Sequence, residues 1–436
     1  MKKLKRLTPI LIYILFHISP AYTKVYLDIH SPSATQLPIV IPPFKNIGGT
    51  TATHPYAKEM AAIISEDLSF SGFFRLLAPE VIDDDYLRGL TRDTIRWDII
   101  SIIGAETIVT GGFQLKNKNS IITELRLFDA VQGKFITGKR YEAPPSDRRL
   151  MMHRFSNEIF QKLTGEYGVF TTKIAYTQSN GANKDIYVMD YDGGNRKRIT
   201  WYESLSLLPA WSPDGKTLAF TSYKDGNPDL YVKNIYSGKV KKISKKRGIN
   251  ITPAWSPDGK KIALTLSLNN GNSEIYLHTV KTGKVERITH NWAIDVSPAW
   301  SPDGSRIAFI SDRAGRPHLY TLELQKGRMR RLTFSGSENS APSWSPRGDM
   351  IVYAGLTDGR HNIHLVSSDG GFQQQLTFNQ GNNEDPAWSP DGRYIAYSSD
   401  RTGRKEIFIM RADGTGQKKI TDGPGEKSGP AWSPRQ

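Results

Sequence analysis

His361 and His364 stand three apart in the stretch "HNIH", and two closely spaced imidazoles are the first place to look for a metal. His364, however, falls where five other copies of a repeat carry Tyr or Phe, so packing accounts for it. The stretch "MDYDGG" at Met189–Gly194 has a slight calcium-loop look, but it lacks the further acidic ligands and reads as a hairpin turn. No cysteine is present, which removes disulfides, thiolate metal sites and cysteine nucleophiles. G-x-S-x-G, a phosphate-cradling glycine loop and H-E-x-x-H are also missing. The chain has 43 Asp and Glu residues, yet no spacing singles out two of them as a glycosidase pair. No catalytic, cofactor-binding or metal residue is therefore assigned, and no cofactor is expected.

Polar residues recur in a different pattern. A heptapeptide, "PAWSPDG", begins at Pro209, Pro253, Pro298 and Pro386, with weaker copies at Pro342 and Pro430. Three residues before each proline stand Ser206, Asn250, Asp295, Asn339, Asn383 and Lys427. Glu338, Glu384 and Asp385 are neighbours. Polar groups of mixed hydrogen-bonding capacity, repeated at one place in successive units on a rigid scaffold, make a natural docking surface.

The elements that carry them follow from the period. Trp211, Trp255, Trp300, Trp344, Trp388 and Trp432 are separated by 44 or 45 residues. Within each period come an apolar run ("KIAY" at Lys173–Tyr176, "TLAF" at Thr217–Phe220), a second run ("IYVM" at Ile186–Met189) and a third ("RIT" at Arg198–Thr200). These runs are short, rich in β-branched and aromatic residues, and separated by Gly, Asn, Asp and Pro. They predict four strands per unit, with "SPDG" as the first turn. Six units of this kind predict a six-bladed β-propeller. The first three-strand set lacks a "PAW" strand, and the last "PAW" lacks followers. The C-terminal strand should therefore close the ring on the first blade. One Trp at a fixed place in each innermost strand reads as packing between blades. The polar loops should then converge on one mouth of the central channel.

The basic pairs Arg196–Arg198, Lys241–Lys242, Arg330–Arg331 and Lys418–Lys419 sit at or just before the outermost strands, where charge blocks edge pairing; no nucleic-acid groove is expected. Residues 24–165 carry no repeat. Strands are predicted at Leu37–Phe44, Phe73–Pro79, Glu106–Gln114, Ile121–Phe128 and Lys134–Tyr141. Helical spacing of Met60, Ile64 and Leu68, and of Met151, Phe155, Ile159 and Leu163, predicts two long helices, and a short one is expected near Arg96–Ile103. The fold class is thus a small N-terminal α/β domain (24–165) followed by the all-β six-bladed propeller (171–436), closed by the C-terminal strand.

"MKKLKR", an apolar "LTPILIYILFHIS" and "SPAYTK" make the three parts of a secretory signal over residues 1–21, with cleavage after Ala21 or Thr23. Its removal takes four basic residues and no acid from a formal charge of +15, leaving +11. That balance suits an acidic partner or an anionic surface.

The junction "KLTGEYGVFTTKIAYT", the opening "KVYLDIHSPSATQLPIVIPPF" and the order of domains make the chain resemble the TolB family of the Tol–Pal envelope system, over essentially the whole mature length. The resemblance implies a monomeric periplasmic adaptor without catalysis, supporting outer-membrane integrity and envelope constriction in cell division. It implies a peptidoglycan-associated lipoprotein, Pal, bound over the channel mouth at Ser206, Asn250, Asp295, Glu338, Asn339, Asn383 and Glu384. It also implies the inner-membrane protein TolA bound through the segment about Lys24–Ser33, with Lys24, Val25, Tyr26, Leu27, Asp28 and Ile29 its strand-like core. "HSPSAT" replaces the glycines usual after that strand, and Ile249 stands where a polar residue is usual. The alternative is an exported propeller enzyme or carbohydrate-binding protein, which would gather acid and base groups at one mouth.

Overall fold

Each repeat folds into four antiparallel strands, and six such sheets form the ring. The chain is seen in a computed structural model that describes residues 36–48, 54–77, 90–268 and 271–435. The expected strand "KVYLDI" therefore lies outside the described residues.

The turn chemistry explains the repeat. Ser212 Oγ donates to Asp214 Oδ1 at 2.5 Å, and Asp214 also accepts from the Lys216 amide at 3.0 Å. Gly215, at φ 67°, closes the turn in a conformation that a Cβ would strain. The same serine–aspartate bond recurs at Ser256–Asp258, Ser301–Asp303 and Ser389–Asp391. The third signature pins the outer strand inward. Thr200 accepts from the Ile186 amide, and Thr289, Thr333, Thr377 and Thr421 accept from equivalent amides, all at 2.8–3.0 Å.

Closure follows the register of every other blade. Lys427–Trp432 pairs antiparallel with Lys173–Asn180, placing Ala431 opposite Ala175 and Trp432 opposite Ile174. Tryptophans bridge blades as expected: the Trp211 indole donates to the Ala431 carbonyl and Trp300 to that of Ala254, both at 3.0 Å.

The N-terminal region contains β1 (Leu37–Val40), β2 (Lys45–Asn46), α1 (Pro55–Ser71), β3 (Phe74–Leu77), α2 (Trp97–Ile102), β4 (Thr107–Asn117), β5 (Ser120–Asp129), β6 (Lys134–Ala143) and α3 (Arg148–Thr164). Its sheet order is β3-β1-β4-β5-β6, with β2 also on β4. β1 is parallel to both of its neighbours, β4–β5–β6 a meander. The predicted helical stripes of α1 and α3 are all buried. Gly165 caps α3 at φ 79°.

One apolar cluster runs from this sheet and its helices into the first and sixth blades, joining Leu68, Phe155 and Phe160 to Tyr191, Tyr394 and Trp432. Phe70 stacks on Tyr394 at 4.4 Å between ring centres. The Arg393 guanidinium lies 5.3 Å from the Phe73 ring and 2.5 Å from the Glu166 carboxylate. These contacts use the 1→2 and 3→4 hairpins of the blades. The N-terminal domain therefore covers the face opposite the polar loops.

Candidate functional site

Each innermost strand enters the channel from the loop face and bulges two residues later, where the register with the second strand shifts. The bulge residues Leu208, Thr252, Ser297, Ala341, Asp385 and Gly429 all have left-handed backbones, with φ between 48° and 58°. Five of the six are not glycine, and each such residue costs on the order of 1 kcal/mol of strain. With the prolines that follow, they line a recess of about 150 Å³. Thr252 and Thr265 share a hydroxyl bond of 2.7 Å across its wall, and Asp385 accepts from the Gly429 amide at 3.1 Å and from Ser398 at 3.2 Å. Burial, and then the charge of Glu384, push the Asp385 carboxyl up.

The six polar loop residues are brought to this mouth, but their side chains do not face it. Ser206, Asn250, Asp295, Asn339, Asn383 and Lys427 are all buried. Ser206 meets Ser222 at 3.2 Å. Asn250 accepts from Ser244 at 2.6 Å and donates to the Lys246 carbonyl at 2.7 Å. Asp295 takes the Arg313 guanidinium on both oxygens, at 2.9 and 2.8 Å. Burial pushes its carboxyl up, with Ser311 and Arg313 pulling the other way. Asn339 donates to Thr333 at 3.0 Å, Arg401 donates to Asn383 at 2.7 Å, and Lys427 lies 3.2 Å from Glu406. Their hydrogen-bonding capacity is spent inside, stapling each incoming loop to its own or the preceding blade. Of the three acids beside them, Asp385 sits in the bulge, Glu338 is exposed, and Glu384 is partly so, paired with Lys405 and 3.4 Å from His361. Residues 24–29 lie outside the described residues.

His361 and His364 do not meet at a metal. A strand sends residues three apart to opposite faces. His364 is buried against Tyr353, with ring centres 5.4 Å apart.

On the same loop face the structure exposes side chains that spacing alone did not single out. Trp201, Trp292, Phe334 and Phe378 are 56%, 78%, 71% and 57% exposed. They stand in four of the six loops that join one blade to the next, at or just after the "RIT" signature, and that position was their signal. Lys233 lies 5.0 Å from the Trp201 ring and Arg331 4.7 Å from that of Phe334. The loop face therefore carries four exposed aromatic rings in the loops that follow the outermost strands, two of them flanked by cations.

The comparisons with known proteins bear on this ring and its companion domain together. The chain matches the TolB beta propeller domain over residues 160–436, well over half its length, and the TolB amino-terminal domain over residues 25–136. The chain belongs to the TolB family. The crystal structure of TolB from Acinetobacter baumannii aligns over 94% of this chain and 100% of that one, with a TM-score of 0.79 and 28% identity. "Tol-Pal system protein TolB" of Syntrophotalea carbinolica is 39% identical over 214 residues, 49% of each chain. The protein of that name from Geobacter sulfurreducens is 40% identical over 221 residues, 50% of each. The chain thus spans about half the length of the curated relatives it matches. Both relatives are named as proteins of the Tol-Pal system. Among the described residues of this TolB member, no helix is long and apolar enough to cross a membrane.

Proposed function

We propose that the protein is an exported, periplasmic, non-catalytic adaptor of the Tol–Pal system. It binds a Pal-like lipoprotein over the loop face of the propeller and a TolA-like inner-membrane protein through residues 24–33. By holding both it supports outer-membrane integrity and constriction during division. The observation that carries the reading is the set of exposed aromatic rings on the rigid loop face. Exposed Trp and Phe on stapled loops supply contact area at low entropic cost, and such residues dominate the energetics of protein interfaces. The cations beside Trp201 and Phe334, with a mature charge of about +11, favour an acidic partner surface. The buried polar residues take part by fixing the loops, Glu338 and Glu384 by touching the partner.

The test is calorimetric titration of the mature chain with the purified soluble domain of a Pal-like lipoprotein. Replacing Trp292, Phe334 and Phe378 together by Ala is expected to weaken binding about 100-fold, or ~2.7 kcal/mol. Unchanged affinity would refute the role of these rings. Deleting residues 24–33 should abolish binding of a TolA-like domain and leave the protein folded; full retention would refute that half of the reading.

A further inference from the structure

The junction between the N-terminal domain and the first blade holds a cluster that the adaptor reading does not use. α3 presents His153, the strand Asn183–Asp190 ends on Asp190, and the hairpin after it presents Asp192. One ligand atom from each of these three lies within 4.8 Å of the others. His153 is only 2% exposed. Its Nδ1 lies 2.9 Å from the Asp67 carboxylate of α1, which is itself held by the Tyr191 hydroxyl at 2.6 Å. Its Nε2 is buried with no hydrogen-bond partner and stands 3.7 Å from Asp192 Oδ2. His153 and Asp190 border a cavity of about 630 Å³, lined also by Asn157, Thr171 and Asn195.

We propose that His153 Nε2, Asp190 and Asp192 form a site for a divalent transition metal, zinc being the best match to one nitrogen and two carboxylate ligands. A carboxylate behind Nδ1 is the arrangement that aims the other imidazole nitrogen at a metal. Asp67 supplies it, and Tyr191 fixes Asp67. Four-coordinate zinc sets its ligand atoms about 3.4 Å apart, so the three groups close by about 1 Å or slightly more on an ion. The fourth position belongs to water from the cavity. Arg149 donates to Asp192 at 2.5 Å and Lys173 to Asp190 at 2.8 Å. These cations hold the carboxylates in place and temper the affinity by offsetting part of their charge. The ion ties α3 of one domain to the first blade of the other, and so sets how firmly the two halves are joined.

The experiment uses residues 22–436 stripped of metal with a chelator. Zinc binding is read by equilibrium dialysis, and cobalt is used for its tetrahedral visible absorption. The expected result is one ion per chain, a melting temperature raised by zinc but not by magnesium, and affinity reduced at least about tenfold in Asp192→Asn and His153→Gln. Asp192 is partly exposed, so Asp192→Asn decides the matter if His153→Gln fails to fold. Absence of zinc binding to the wild type, or equal binding and equal cobalt spectra in wild type and Asp192→Asn, would overturn the site.

Discussion

His364 shows how a residue that looks chemical becomes structural. It takes the place of a Tyr or Phe in the third strand of the fifth blade, and burial pushes its imidazole down to about 4. His278 and His318 are also pushed down, in both cases chiefly by burial. The unfolded chain binds protons on these rings near pH 6.5, the folded chain only at lower pH. Their contribution is therefore complete above pH 6.5 and is lost as pH falls below it, for His364 down to about 4. For His364 alone the loss is about 3 kcal/mol. Urea melts from pH 7.5 to 4.5 should show it, and His364→Phe, which restores the residue class of the other blades, should flatten the slope. An unchanged slope would show that the buried imidazole is not the cause. The loop residues teach the opposite lesson. Their polarity and position were legible, but their orientation was not. It depends on a left-handed bulge two residues further on, and Leu208, Thr252 or Ala341 in that role carries no mark in the sequence. Trp292 and Phe334 were legible as residues and invisible as a set, because only the closed ring puts their loops on one face.

At the scale of elements, the period of the repeat made the strands readable. Each blade repeats the same turn chemistry and the same apolar runs, so six copies correct one another. The closing strand was readable for the same reason: the first blade lacks what the end of the chain supplies. Closure removes the sheet edges that a linear array would leave open. Deleting residues 427–436 should expose Lys173–Asn180 along one edge and remove Trp432 from the shared core. Size-exclusion chromatography should then find oligomers or aggregate in place of monomer, with earlier thermal unfolding. A monomer melting as the wild type does would mean that the ring holds without its closing strand. In the N-terminal domain, α1 and α3 were readable from helical spacing alone. The parallel pairing of β1 with β3 and β4 was not, since nothing local states which distant strands meet.

In the whole molecule, the two domains share one core over the first and sixth blades and leave the loop face free. This division predicts joint unfolding. Phe70 stacks on Tyr394 across the junction, and Phe70→Ala should cost about 3 kcal/mol and split one calorimetric transition into two. A single transition at the wild-type temperature would show that the shared core does not couple them. Joint unfolding also bears on the adaptor reading, because a rigid companion domain keeps the loop face in a fixed relation to β1 and the rest of the described N-terminal domain. The most direct test of that reading is amide hydrogen exchange on the mature chain, alone and with a Pal-like lipoprotein domain. Protection is predicted in the loops at 199–205, 288–294, 332–337 and 376–382, which carry the exposed aromatic rings. Protection confined to the N-terminal domain or to the "SPDG" face, with these loops exchanging as in the free protein, would contradict it.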